Sequence, residues 1–572
     1  MIRAQLAPAV IACALAISGV QAATQPAQLE ADSILINGEI DTPAGWAAAA
    51  AIKHGVIVAI GDAASVDRYK GSKTQVIDLQ GAAVLPGLHD MHVHPMGAGL
   101  AELSCQFPQG SSAAAIEKAV AQCAAKHAKG EWITGGQWDA SSFGATPPNR
   151  QFLDHAAPNN PVVLTDISGH SAWANSEALR LAKITSATPN PPGGIIEKDA
   201  KGEPTGLLRE AGAALVRGVV PPYTPEQNAN ALKSSLHLML SYGITSFTDA
   251  VVDGSILQAY ATLADRGELK QRVKGCLVWG RAMPGSADPM QPEYIQLRNL
   301  YARERFHPTC IKIFLDGVPT DGHTAAMVEP YADAKGKDEA RAKGLLMVPP
   351  AALKAALIDF DAHGFTVKMH AAGDAAVREG LDAIEAARKA NGFSGQLHEV
   401  GHNSFVQMSD IQRARRIAAT FEMSPYIWYP NPIIPDIVKA VGAERMQRWI
   451  PVKDAIDAGA LVVPGSDWSV VPSVNPWIAI ETLVTRQKPG GGGEVLGAQE
   501  RITLRQAIDM FTVNSAREMG DRIREGTLER GMLADLIILD RNPYRIPIGQ
   551  VHDTKVKMTM INGEVVYRAA EK

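Results

Sequence analysis

The chain has 572 residues, is 46% hydrophobic and 20% charged, and carries a formal net charge of -5. This balance gives no electrostatic case for nucleic acid, and no long Lys/Arg run occurs. No internal stretch is apolar enough to span a membrane. What remains is a large soluble globular protein with one big domain and a smaller one.

Met1-Ile-Arg3 is a short positive start, followed by an apolar run from Leu6 to Val20 and a small-x-small site at Val20-Gln-Ala22. Residues 1–22 therefore read as a secretory signal, and the expected location is periplasmic or secreted. Its removal leaves Cys105, Cys123, Cys276 and Cys310, too few for a disulfide framework in a chain of this length. Cys105 and Cys123 flank one helix-like segment and can pair in an oxidising compartment; buried free thiols are the alternative.

Residues 29–81 are β-rich, with turn signals at Asn37-Gly38, His54-Gly55 and Gln80-Gly81. Residues 526–540 and 556–567 repeat that style, with an Asn562-Gly563 turn. The economical reading is a small β-sandwich domain built from both termini, 23–82 and 523–572, beside a large α/β domain over 83–522.

In that middle part, strand-like and helical segments alternate. The candidate strands are Ala83–Leu88, Ile244–Phe247, Gly275–Val278, Cys310–Phe314, Thr366–Met369, Leu397–Val400, Ile417–Phe421 and Leu461–Val463. Helices such as Ala351–His363 and Asp374–Ala390 lie between them and stop at glycine. Eight such units predict a (β/α)8 TIM barrel. A doubly wound open sheet is the alternative, but no glycine-rich phosphate fingerprint follows the first strand. The interval between the first two strands far exceeds the about 30 residues of an ordinary unit. Residues 100–235 are therefore read as an insertion at the C-terminal face of the barrel, where substrate-binding surfaces grow.

Catalytic groups of a barrel sit where its strands end. In Leu85-Pro-Gly-Leu-His-Asp-Met-His-Val-His94, His92 and His94 are two apart and share one face of a strand. Lys312 lies in strand four, His370 closes strand five, His402 closes strand six, and Asp467 closes strand eight in Gly465-Ser-Asp467. Each has a dull reading: a structural histidine, a snorkelling lysine, a helix-capping aspartate. Their coincidence at several strand ends, all facing one mouth, points to a metal site. His398, four residues before His402, is a possible decoy at the same strand. In the insertion and nearby loops, His170, His323 and Trp138 are candidates for substrate contact.

Pro86-Gly-x-His-Asp-x-His-x-His, the strand-four lysine, two later histidines and the final Gly-Ser-Asp together resemble the amidohydrolase superfamily. Finer matches are to its YtcJ-like branch, which includes N-substituted formamide deformylases: Gly169-His-Ser-Ala-Trp-Ala-Asn-Ser176, the run from Gly194 to Gly206, and Thr324-Ala-Ala-Met-Val-Glu-Pro-Tyr331. The resemblance covers residues 29–570. It implies that His92, His94 and Asp467 hold one metal, that His370 and His402 hold a second, and that a carboxylated Lys312 bridges both. It departs from the common sixth-strand Glu-His, having Gly401-His402.

The implied cofactor is Zn2+, one or two ions, because imidazole-rich sites suit it and it needs no redox control. The implied reaction is hydrolysis of a non-peptide C–N bond in a small N-substituted amide, by metal-activated hydroxide with Asp467 as proton shuttle. Hydrolysis or deamination of cyclic C–N bonds, and a catalytically silent binding protein on the same scaffold, are the competing readings. The expected partner is the small-molecule amide. Neither nucleic acid nor, once the signal is removed, a membrane is expected; a homo-oligomer is left open.

Overall fold

Eight parallel strands run in one hydrogen-bonded order: β1 (Leu88–Val93), β2 (Ile244–Val252), β3 (Arg272–Val278), β4 (Phe306–Phe314), β5 (Thr366–Ala371), β6 (Glu399–His402), β7 (Thr420–Met423) and β8 (Leu461–Pro464). The computed structural model describes residues 29–108, 110–138, 143, 147–166, 171–192, 194–279, 294–320, 323–334 and 342–570. The expected signal at 1–22 lies outside the described residues.

Helices return the chain between strands, several of them started or stopped by local chemistry. Pro225–Ser241 opens with a Thr224/Gln227 capping box. Gly254–Asp265 is capped by the Asp253 carboxylate. Asp374–Asn391 stops at Gly392, whose φ of +76° suits glycine. β1 and β8 are the ends of the ladder, and the gap between them closes one step further on. There the Asp467 backbone N–H donates to the His92 carbonyl, and Val93 bridges Trp468. The result is a nearly closed eight-stranded barrel. Among the described residues no helix is long and apolar enough to cross a membrane.

The first strand differs from expectation. Ala83–Pro86 is not in the barrel; it pairs antiparallel with Leu536–Leu539 in a six-stranded sheet that joins both ends of the chain. The chain passes from that sheet to β1 at Gly87. Its N–H donates to the Asp535 carbonyl, and a Cβ there would meet Thr245 Oγ1 at 2.3 Å. Only glycine fits this crossing. β7 likewise begins at Thr420 rather than Ile417, because the chain first turns through Ala418 at φ +51°. A four-stranded sheet (order Val56–Gly61, Ala49–Lys53, Ser33–Ile36, Gln75–Asp78) shares an apolar core with the six-stranded one, including Leu35, Ile52, Val84, Leu536 and Met560.

Between β1 and β2 lies a five-stranded sheet, order Gly194–Lys198, Pro204–Glu210, Ser171–Ala174, Val162–Asp166, Ile133–Trp138. It has its own core around Trp138, Phe143 and Trp173. Cys105 and Cys123 are joined there as a disulfide. A second disulfide, absent from the sequence reading, joins Cys276 and Cys310, which are register partners on β3 and β4 with Cα atoms 4.1 Å apart.

Candidate metal centre

The six candidate ligands come from five places around one end of the barrel. His92 lies in β1 and His94 just beyond it. Lys312 lies in β4, His370 in β5 and His402 at the end of β6, while Asp467 follows β8. His92, His94 and Asp467 each present one donor atom, all within 4.8 Å of one another. Asp467 Oδ1 is 3.1 Å from His94 Nε2 and 3.5 Å from His92 Nε2. Lys312 Nζ is 3.4 Å from His92 Nε2. The His370 and His402 rings lie 4.1 Å apart between centroids, and His402 is 4.8 Å from His92. His402 and Asp467 both have left-handed backbone, with φ of +75° and +57°, a conformation that non-glycine residues keep only where the surroundings enforce it.

The outward nitrogens decide which atoms face the centre. His92 Nδ1–H donates to Glu422 Oε2 at 2.6 Å, leaving Nε2 toward Asp467 and Lys312. His402 Nδ1 lies 3.1 Å from Ser424 Oγ, and its buried Nε2 has no hydrogen-bond partner. His370 Nε2–H donates to the Gly317 carbonyl at 3.0 Å, which leaves the lone pair on Nδ1 to bind a cation. Burial holds His92 and His402 well below the ordinary imidazole range and brings His370 to about 4. The His92, His370 and His402 rings are thus neutral near pH 7, the form that binds metal. Burial, then the charge of Lys368, lowers Lys312 to about 8. Neutral imidazoles, a carboxylate oxygen and an orphaned buried nitrogen form a donor set that fits a divalent ion.

Beneath these ligands the barrel interior is charged rather than aliphatic. Lys368 in β5 lies 2.5 Å from Glu399 in β6 and 3.4 Å from Glu422 in β7, all three with no solvent-exposed side-chain surface. Burial works against the Lys368 ammonium, yet the Glu399 and Glu422 carboxylates hold its pKa above the usual lysine range. Asp90 accepts from the His92 and Ser466 backbone N–H groups, tying β1 to the loop that carries Asp467. Burial raises Asp90 to about 7. Asp90 enters the sequence reading only as a position of the Pro86-Gly-x-His-Asp motif, and Glu422, Lys368 and Ser424 are not singled out there; the available signal for Glu422 was a carboxylate at an inward position of the apolar Thr420-Phe-Glu-Met423 strand.

The other candidates stand apart from this cluster. Trp138 is 2% exposed in the core of the inserted sheet, its indole N–H donating to the Leu164 carbonyl. His323 is buried against Tyr331 and lies 2.9 Å from Asp333. His170 lies outside the described residues. His398, the decoy, donates to Asp361 and accepts from the Val367 N–H, which makes it structural.

The amidohydrolase family model matches residues 75–567. The Bacillus subtilis (strain 168) protein YtcJ is 29% identical over 527 residues, covering 90% of this chain and 95% of that one. The N-substituted formamide deformylase of Arthrobacter pascens is 27% identical over 559 residues, covering 94% and 98%. Among solved structures, an uncharacterized metal-dependent hydrolase from Pyrococcus horikoshii OT3 matches with a TM-score of 0.72 at 25% identity, covering 90% and 99%. The chain belongs to the amidohydrolase family, and with its His92, His94, Asp467 cluster it is a metal-dependent hydrolase of carbon–nitrogen bonds.

Proposed function

We propose that this protein is a zinc-dependent hydrolase that cleaves the C–N bond of a small N-substituted amide of the formamide type, outside the cytoplasm. The observation that carries the reading is the cluster of four imidazoles, Asp467 and Lys312 at one end of the barrel, with the buried His402 Nε2 lacking a hydrogen-bond partner. His92, His94 and Asp467 would hold one ion, and His370 and His402 a second. Lys312, with a pKa of about 8, has the neutral amine fraction needed to form a bridging carbamate. Its nitrogen would bond the carbon of CO2 and release a proton. Bound there, a divalent ion would polarise the scissile carbonyl and lower the pKa of the attacking water.

Asp467 then accepts a proton from that water and delivers it to the leaving amine nitrogen, so water adds across the C–N bond and the carboxylic acid and amine separate. Its Oδ1 lies 3.1 Å from His94 Nε2 and 3.5 Å from His92 Nε2, beside the residues that would hold the ion. The formamide-type substrate is supported by likeness to the A. pascens deformylase, and the location by the signal-like residues 1–22. A homo-oligomer carries no argument of its own.

The test is metal analysis of the purified protein, with a screen of N-formyl and N-acyl amines read as released formate, acid or amine. Bound zinc with amine release supports the reading. Protein that holds no metal and shows no metal-stimulated hydrolysis overturns it. Ammonia released from a cyclic substrate instead assigns deamination, and metal without turnover on any substrate assigns a silent scaffold.

A further inference from the structure

We infer that Glu422 is the positioning residue of the metal centre. It fixes the ring of His92 through Nδ1, and it is itself held by Lys368 and by a slot that Gly401 and Gly465 leave open. The inference rests on the metal-binding reading above and goes beyond it, to a strand-seven residue that no resemblance assigned.

Three observations lead to it. First, the 2.6 Å contact between Glu422 Oε2 and His92 Nδ1 is the shortest polar contact of the His92 ring, whose others run from 3.4 to 3.5 Å. A carboxylate there selects the tautomer with hydrogen on Nδ1, which turns the Nε2 lone pair toward Asp467. Second, the carboxylate is seated by close packing. A Cβ on Gly401 would lie 2.6 Å from Glu422 Oε2. A Cβ on Gly465 would lie 2.5 Å from Glu422 Oε1 and 2.4 Å from the His92 Cβ. The strands on either side of β7 therefore carry glycine where any side chain would push the carboxylate off the imidazole.

Third, the carboxylate is one link in a buried chain of charge. Glu422 meets Lys368 and Lys368 meets Glu399; burial, then the Glu399 charge, pushes the Glu518 carboxyl up, and Glu518 meets Lys274 Nζ at 2.7 and 2.8 Å. Lys274 lines a cavity of about 260 Å³ near the start of β3, at the opposite end of that strand from the ligands. Buried ion pairs are costly beside the aliphatic layers that usually fill a barrel, and stability alone does not account for them. A fixed negative charge on the back of His92 does account for the Glu422–Lys368 end, because a more basic, correctly turned imidazole binds a cation more tightly.

The experiment compares zinc affinity, by competition with a chromogenic chelator, in the full chain and in Glu422→Gln, Gly401→Ala, His92→Ala and the His92→Ala/Glu422→Gln pair. Far-UV circular dichroism monitors the fold. Glu422→Gln and Gly401→Ala are expected to keep the fold and to weaken zinc by about 10–100-fold. In the His92→Ala background, Glu422→Gln is expected to weaken zinc no further, because its effect passes through that ring. Wild-type affinity in a folded Glu422→Gln, or the same loss with and without His92, overturns the inference. Should Glu422→Gln fail to fold, Gly401→Ala, which keeps every charge, decides by the same affinity criterion. A wild-type chain that binds no zinc refutes the metal reading itself, an outcome distinct from a wild-type chain that binds zinc and does not respond to Glu422.

Discussion

The backbone N–H of Asp467 donates to the carbonyl of His92 at 2.7 Å. This bond closes the barrel at the point where its first and last strands end, and it sets the two side chains side by side. The Oδ1 of Asp467 lies 3.5 Å from His92 Nε2 as a consequence. Closure and site assembly are thus one event, and the predictions below probe its parts.

Asp467→Asn separates the metal from the chemistry. The amide still offers an oxygen near His94 but cannot carry a proton. Metal content should remain within about twofold of wild type, while turnover falls by roughly 10²–10⁴, the span of a lost general base. Paired metal analysis and kcat on an N-formyl amine check this, and undiminished turnover would remove Asp467 from its role.

Removing the metal should cost stability as well as activity. At free zinc of about 100 to 1,000 times Kd, binding adds roughly 2.7 to 4.1 kcal/mol to the folded state. Dialysis against a strong chelator is expected to abolish hydrolysis and lower Tm, and zinc alone should restore both. Calorimetry of the two forms measures the difference; identical melts would place the metal away from the folded core.

Gly465→Ala should be damaging although the change is one methyl. The new Cβ would stand 2.4 Å from the His92 Cβ and 3.0 Å from the Ser424 Cβ. Overpacking of this kind costs about 1–3 kcal/mol. Gly254, at a helix start with no atom within 4 Å of a new Cβ, is the control. Gly254→Ala should be neutral or slightly stabilising, by up to about 1 kcal/mol. Urea unfolding of the two variants gives the contrast.

His89 makes stability depend on pH away from the ligands. Burial, with Arg272 adding to it, lowers its pKa from 6.5 to about 3. The unfolded chain therefore binds this proton below pH 6.5 and the folded chain does not until pH falls to about 3. Stability is lost as pH falls through that window, to a limit of about 5 kcal/mol. Glu525, 3.7 Å away and raised by burial to about 7, acts in the opposite sense, since its penalty is relieved as pH falls from 7 toward 4.5. The diagnostic is the difference between wild type and His89→Gln in metal-free protein, which should grow steadily below pH 6.5. Parallel curves for the two would refute the assignment.

Much of the site was legible in the chain. His92, Lys312, His370, His402 and Asp467 each sit in or directly after a short apolar run, and the alternation of strand side chains is a local property that sequence displays. Glu422 was not legible. One acid in an apolar tetrapeptide looks the same whether it faces a solvent edge or a metal ligand. The departure at Gly401 was visible, but its reason, the Glu422 carboxylate lying against it, belongs to the neighbouring strand. Trp138 shows the converse: an aromatic in the inserted region suggested substrate contact, and the structure packs it edge-on against Phe143 and Trp173.

By itself the sequence determined the ligand types, their order along the chain and the repeating strand–helix unit, because these depend on neighbours within a few residues. Tertiary structure alone decided which strand sits beside which, and with what register. That pairing moved Ala83–Pro86 out of the barrel to Leu536–Leu539, set Cys276 opposite Cys310, and brought Glu422 to the back of His92. The physical reason is the same in each case. Packed strands make contacts between residues tens to hundreds of positions apart, and only close packing of the whole barrel selects among them.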